Sequence, residues 1–254
     1  MKAGPIRALA IILQSIWVTL RISVPTIWEA YRGRYRRAAG DARLRWWSQR
    51  LLALVGLSVR VVNPNRVELP AGRPCILMSN HSSLYDIPIT LLAFAGSIRM
   101  LTKKELFRVP VWGRGLRAGE FISIDRHDRE QGLRDLDRAR GKMADGITLW
   151  VAPEGTRSRT GELGSFKKGG FMLALQTGAT IIPLGIRGAH DVLPAKSLAF
   201  CLGREAEIHV GSPIDARRYT IETRDALMAE VERQIRELAQ IPAFAPTRSA
   251  GDAR

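Results

Sequence analysis

The sequence predicts an α/β protein: a mixed, largely parallel sheet flanked by helices, with an amphipathic helix pair at the N-terminus. Two observations carry this reading. Beyond residue 60, short apolar runs alternate with amphipathic stretches of helical period, as when crossover helices cover a sheet. The 254 residues, 46% of them hydrophobic, are also enough to bury one sizeable core. The chain divides into N-terminal helices with a basic cluster (residues 1–60), an α/β domain (61–240) and a tail rich in Ala, Pro and polar residues (241–254), expected to be flexible.

From the N-terminus, residues 8–20 carry no charge, and after Arg21 the next charge is Glu29. On a helix Arg7, Gln14 and Arg21 fall seven apart, a narrow polar line on an apolar cylinder. A spanning helix needs about 20 apolar residues. Arg21 interrupts this one, and Pro25 predicts a bend just beyond it. A thin basic start and no small-residue cleavage site argue against a signal peptide. The cluster Tyr31-Arg32-Gly33-Arg34-Tyr35-Arg36-Arg37 follows. Then Leu44, Trp47, Leu51, Leu54 and Val55 mark one face of a second helix, with Arg43 and Arg50 opposite. Residues 1–60 hold eleven Lys or Arg against Glu29 and Asp41, so they carry most of the net charge of +15. Such a basic end implies an anionic partner, lipid headgroups or nucleic acid. The adjoining apolar, Trp-bearing helices favour a membrane surface and no nucleic acid. A hairpin packed on the core is the alternative, and it leaves Trp17 and Trp28 without a special role.

In the α/β part, strands are expected at 75–78, 98–101, 121–124, 147–152, 180–186 and 206–210. Helices are expected at 85–94, 129–144 and 168–177. A last one near 222–240 has Leu227, Val231, Ile235 and Leu238 on its apolar face. Cys75 and Cys201 form neither a metal-spacing motif nor a disulfide framework, and read as free thiols of a reducing compartment.

The chemistry concentrates at Asn80-His81-Ser82-Ser83-Leu84-Tyr85-Asp86. His81 follows an apolar strand, and Asp86 stands where a helix can start. Ligands of α/β folds gather at such strand ends. An imidazole held by a carboxylate on one nitrogen keeps the other free to take a proton from a hydroxyl. Asp86 as a simple helix cap is the plainer alternative. No GxSxG elbow supplies a serine nucleophile, and no HExxH, paired Cys or acidic cluster suggests a metal.

A second constellation, Pro153-Glu154-Gly155-Thr156-Arg157-Ser158-Arg159, follows the strand 147–152. Gly155 permits a tight turn, Thr156 offers a hydroxyl and Arg157 a planar fork for phosphate oxygens. The alternative is a solvated basic turn in which Glu154 pairs with Arg157. Lys103, at the end of the strand 98–101, and Arg126, after 121–124, converge on the same crevice if the strands are parallel. His190, although beside Asp191, is assigned no role.

Four blocks in order give the chain its resemblance to a family: the NHxxxxD box at 80–86, Gly119-Glu120-Phe121-Ile122-Ser123-Ile124-Asp125-Arg126, Pro153-Glu154-Gly155-Thr156-Arg157-Ser158, and Ile181-Ile182-Pro183-Leu184. Lys103-Lys104-Glu105-Leu106 fits as well. The chain resembles the membrane-bound glycerolipid acyltransferases typified by 1-acylglycerol-3-phosphate (lysophosphatidate) acyltransferase. It departs where Ala152 precedes the third block, since the family often has an aromatic there, and in its heavier basic N-terminus.

The resemblance implies direct transfer of a fatty acyl group from acyl-CoA or acyl-acyl carrier protein to the free hydroxyl of 1-acylglycerol-3-phosphate, giving phosphatidic acid. His81 is then the general base and Asp86 its partner. Arg126, Glu154, Gly155, Thr156 and Arg157 bind the acceptor, with Arg157 and Lys103 on its phosphate. The block around Ile182 and Pro183 is linked to the acyl donor. No metal or cofactor is implied beyond the acyl donor as co-substrate. Membrane lipid and the donor or its carrier protein are the partners, and the cytoplasmic face of the cell inner membrane is the location. Another lysolipid acceptor, such as lyso-ornithine lipid, and a non-catalytic lipid-binding protein are the alternatives.

Overall fold

The computed structural model of the chain describes residues 1–125 and 128–241. Arg126, and all but the first residue of the tail assigned to 241–254, therefore lie outside the described residues. The N-terminal pair is α1 (Pro5–Tyr31) and α2 (Arg37–Val55). Pro5 opens α1 where a missing N–H costs nothing. Pro25 lies inside α1, which continues through it to Tyr31. Tertiary packing outweighs the lost helical bond here: Ser23 and Thr26 are buried, and Thr26 Oγ1 donates to Ile22 O at 2.7 Å. Arg43 is not on a solvent face but clamps Glu29 of α1 with both guanidinium nitrogens. Trp47 Nε1 adds a bond to Thr19 Oγ1 at 3.0 Å.

Among the described residues the strands form one eight-stranded sheet. They are β1 (Ser58–Val62), β2 (Cys75–Ser79), β3 (Ile98–Lys103), β4 (Ile122–Ile124), β5 (Thr148–Val151), β6 (Thr180–Arg187), β7 (Glu205–Val210) and the short β8 (Ile214–Asp215). Their order is β1-β7-β6-β2-β5-β3-β4, with β8 also pairing β6. The stretch β6-β2-β5-β3-β4 is parallel throughout, whereas β7 and β8 run antiparallel to β6. The sheet is thus mixed and largely parallel, as expected. β1 straddles residue 60, the boundary assigned to the α/β domain, and pairs β7 in parallel. β2, β5 and β6 are central strands covered on both faces, which is why they read as continuous apolar runs.

The helices divide between the faces. Leu77 points into a core shared with α1, α2 and α3 (Asp86–Ala93). Its neighbours Ile76 and Met78 point into the other core, with α5 (Arg129–Ala144), α6 (Gly169–Thr177) and α8 (Arg224–Ala239). Two short helices, α4 (Trp112–Ala118) and α7 (Ala189–Val192), carry too few turns to show a period in the sequence. Gly115 of α4 faces α1 so closely that a β-carbon there would stand 2.7 Å from Ser23 Oγ.

The N-terminal pair is bolted to the sheet by charges. Arg99 on β3 is 0% exposed and donates to Asp41 of α2 at 2.7 Å, Gly119 O at 2.5 Å and Ile98 O at 2.8 Å. Ser97 Oγ holds the second Asp41 oxygen at 2.6 Å. Beside it, Arg37 of α2 grips Glu120 at 2.7 and 2.9 Å, and Lys142 of α5 reaches the same carboxylate at 3.0 Å. These partners, Arg37 first, depress the Glu120 pKa from its ordinary 4.5 to about 2. A depressed folded pKa means the stabilisation is full above pH 4.5 and lost as pH falls toward 2. Glu120→Gln should therefore lower Tm at pH 7 by about 2–4 °C, roughly 1 kcal/mol for a partly buried pair. Thermal melts as a function of pH should show the difference from wild type shrinking below pH 4.5.

Candidate active site

His81 sits just past the C-terminal end of β2, and Asp86 is the first residue of α3. The short turn between them folds the carboxylate back onto the ring. His81 Nδ1 and Asp86 Oδ2 are 2.8 Å apart. Ser82 N and Ser83 N donate to the same oxygen at 2.7 and 2.8 Å. Asp86 is fully buried, and its Oδ1 has no partner among the described residues. Asp86 is thus more than a helix cap, because the hydrogen bonds of its carboxylate bear on the histidine and the turn that carries it. The Nδ1 bond fixes the proton on that nitrogen and leaves Nε2 as the acceptor. Trp150 packs edge to face against the imidazole, ring centres 5.4 Å apart, and its Nε1 is held by Ser79 Oγ at 3.0 Å.

The backbone of His81 is clamped by the loop after β5. Glu154, 5% exposed, accepts from His81 N at 3.0 Å through one oxygen and from Gly164 N at 2.9 Å through the other. Ser158 N donates to His81 O at 2.7 Å. Burial raises the Glu154 pKa, against the pull of those two N–H donors. Each Glu154 oxygen accepts a backbone N–H, and no ion pair joins Glu154 to Arg157 among the described residues. Gly155 takes the left-handed conformation, φ 74°, that turns the loop back over the site. Thr156 is exposed and Arg157 half-buried, and both line the cavity beside His81.

That cavity measures about 1190 Å³ and lies between the N-terminal helix pair and the sheet. Its walls include Ile22, Leu44 and Trp47 from the pair and Met100, Leu116 and Phe121 from the α/β part, so it is largely apolar. His81 and Glu154 stand at its polar end, with Lys103, Arg157, Lys167 and Lys196. None of these four cations has an ion-pair partner among the described residues. Lys104, by contrast, is spent on Asp125. The structure thus brings His81, Asp86, Lys103, Glu154, Gly155, Thr156 and Arg157 to one site. Lys167, which follows the basic loop in the sequence and reads with it as an anion cradle, lines the cavity too, whereas sequence reading missed Lys196 altogether. The block at Ile181, Ile182, Pro183 and Leu184 does not reach the cavity. It is buried in the middle of β6, pairing with β2.

The outward side of α1 carries a continuous apolar stripe of exposed residues, from Ile6 and Leu9 through Leu13, Trp17 and Val24 to Trp28. The helix is long and apolar enough to cross a membrane by length and composition. Its inward side, however, with Ile11 and Val18, is buried on the protein. Arg21 lies over the Trp17 and Trp46 rings and Arg32 over Trp28, so the stripe is edged by cations.

Comparison with known proteins places this geometry in context. Residues 58–187, slightly more than half of the chain, match the family model described as Acyltransferase. The chain is 32% identical over 141 residues to the chloroplastic 1-acyl-sn-glycerol-3-phosphate acyltransferase BAT2 of Brassica napus, covering 56% of this chain and 41% of that protein. It is 29% identical over 171 residues to the 1-acyl-sn-glycerol-3-phosphate acyltransferase of Pseudomonas aeruginosa, covering 66% and 64%. The chain thus spans about half the length of the curated relatives it matches. The crystal structure of the 1-acyl-sn-glycerophosphate (LPA) acyltransferase PlsC from Thermotoga maritima has the same fold, with TM-score 0.75 and 24% identity over 94% of this chain and 97% of that one.

The cysteines stay outside the site. Cys75 is buried in β2, and desolvation pushes its thiol up to about 12. A neutral thiol is a poor nucleophile. In the native protein at pH 8, iodoacetamide should modify the partly exposed Cys201 and leave Cys75 untouched until denaturant is added. Peptide mapping by mass spectrometry reads the two sites separately.

Proposed function

The chain belongs to the Acyltransferase family, and we propose that it moves a fatty acyl group from acyl-CoA or acyl-acyl carrier protein to the free hydroxyl of 1-acylglycerol-3-phosphate, giving phosphatidic acid. The observation that carries this reading is the His81–Asp86 pair, at the meeting point of an apolar cavity and a set of unpaired cations. A lysophospholipid has the same division: a long apolar tail, a phosphate, and a hydroxyl between them.

In this mechanism the acceptor hydroxyl donates to His81 Nε2, which takes its proton as the oxygen attacks the thioester carbonyl. A C–O bond forms, the C–S bond breaks, and the imidazolium returns the proton to the departing thiolate. Asp86 Oδ2 faces the positive charge that the ring carries between these steps. Because a thiolate is a good leaving group, no protein nucleophile is required. Arg157 and Lys103 bind the acceptor phosphate, with Thr156 beside it. Glu154 acts through the backbone of His81 and not on the acceptor.

Membrane docking follows from α1. Its inward face is committed to protein, so the apolar stripe lies in the interface and does not span. The cations of the N-terminal pair favour an anionic cytoplasmic leaflet, which accords with the inner face of a cell membrane. A non-catalytic lipid-binding protein has no use for a histidine whose Nδ1 is locked by a buried carboxylate.

Purified protein given labelled acyl-CoA and a panel of lysolipids should diacylate 1-acylglycerol-3-phosphate, and His81→Ala should lower the rate by about 10²-fold or more. Full activity in that variant, or a preference for a phosphate-free lysolipid such as lyso-ornithine lipid, overturns the reading. Two further variants separate the loop's roles. Arg157→Ala should raise the acceptor KM about tenfold. Glu154→Gln, which misaligns His81, should instead lower kcat about tenfold or more with the acceptor KM within about twofold. The reverse pattern would make Glu154 an acceptor ligand.

A further inference from the structure

The four unpaired cations at the cavity do not all come from one side. Lys103 ends β3, and Arg157 and Lys167 belong to the loop after β5, where Lys167 N bonds Pro153 O at 2.7 Å. Lys196 comes from the segment after β6 and α7. In the sheet, β2 with His81 at its end lies between β5 and β6. Lys196 therefore approaches the reacting histidine from the flank opposite the other three.

The Lys196 backbone is set at the cavity by a built turn, and its exposed side chain lines the opening. Its backbone is left-handed, φ 61°, which is uncommon outside glycine. Ser197 N bonds Pro194 O at 3.1 Å and closes the turn. Ser83 Oγ donates to Leu193 O at 2.9 Å, and Ser83 also makes an isolated β-bridge to Pro194. The same Ser83 donates its N–H to Asp86. At the far end, Cys201 N bonds Val192 O at 2.9 Å and Ala3 N bonds Phe200 O at 2.8 Å. The turn is thus tied to the histidine–aspartate box on one side and to the start of α1 on the other. Leu84, 49% exposed, and Leu198, 70% exposed, belong to these two tied segments.

We infer that Lys196 receives the phosphate at the end of the donor's pantetheine arm, a group shared by coenzyme A and the acyl carrier protein. This rests on the acyl-transfer reading above. That reaction joins two anionic substrates at one histidine. The cations on the β3 and β5 flank answer to the acceptor phosphate, and the second anion needs its own cation across His81. Lys196 is the unpaired one there among the described residues. The donor then lies across the ends of β2 and β6, its thioester carbonyl at His81 and its phosphate at the 194–198 turn.

Steady-state kinetics with three donors tests this: acyl-CoA, acyl-acyl carrier protein, and an acyl-N-acetylcysteamine thioester, which lacks the phosphate. Lys196→Asn removes the cation while tolerating the left-handed backbone. It should raise the KM of an intact donor about tenfold, with the acceptor KM within about twofold. The KM of the truncated thioester should not change, and Lys196→Arg should recover most of the loss. A rise with only one intact donor identifies the carrier that the turn receives. A higher acceptor KM, an equal rise with the truncated thioester, or no change with either intact donor overturns the inference. If the wild-type protein transfers acyl groups from none of the three, it is the reaction reading that fails.

Discussion

One carboxylate oxygen organises the site. Asp86 Oδ2 accepts hydrogen bonds from His81 Nδ1–H and from the amides of Ser82 and Ser83, so ring orientation and turn conformation are set by one acceptor. Three N–H groups converging on one buried oxygen form a charge-assisted set, stronger and more directional than neutral bonds. The other Asp86 oxygen makes no bond among the described residues, so nothing recorded there competes with the histidine. Asp86 is itself fixed as the first residue of α3, whose buried face packs Ile89 and Leu91 into the core. The reactive ring is thereby referred to the hydrophobic interior through a single helix turn.

The rest of the molecule adapts to that arrangement. Glu154 and Ser158 seize the His81 backbone from the β5 loop, and Trp150 packs on the ring from β5 itself. The N-terminal pair roofs the cavity, packing on α4 at Gly115 and joined by ion pairs to β3 and to the segment after α4. Ion pairs such as Arg99–Asp41 and Arg37–Glu120 fix the roof at its edge and leave its middle open. Buried pairs add little net stability, because desolvation offsets their attraction. They do define one geometry, and a roof over an open cavity depends on that.

Much of this was legible in the sequence, and the failures have physical causes. The parallel core strands announced themselves as apolar runs, and α5 as a clean helical period between Arg129 and Ala144. β1 was missed because Ser58–Val62 is an edge strand with an exposed, charged middle, which reads as a surface segment. α1 continues past Pro25 because Ser23 and Thr26 beside it are buried against the protein. His81 and Asp86 were readable because five residues of spacing allow one turn to join them. The role of Glu154 was not, since a bond to the backbone of a residue 73 positions away leaves no trace in local pattern. The block at Ile182 and Pro183 marks a strand that must be fully buried beside β2, which is a packing constraint rather than a contact with substrate.

Lys196 shows what sequence reading cannot reach in principle. Nothing in Pro194-Ala195-Lys196-Ser197 distinguishes it from a solvated loop. Its position follows only from the sheet order, which sets β6 against the flank of β2 that β5 does not occupy. The electrostatics complete the case. In this strongly basic chain, cations that face the protein are mostly paired: Arg37 with Glu120, Arg43 with Glu29, Arg99 with Asp41, Lys104 with Asp125. Lys103, Arg157, Lys167 and Lys196 line a cavity and still lack partners among the described residues. Like charges gathered around one opening repel one another; solvent screens the exposed Lys103, Lys167 and Lys196, and an anionic occupant relieves what remains. Their spread over both flanks of His81 matches two such occupants better than one.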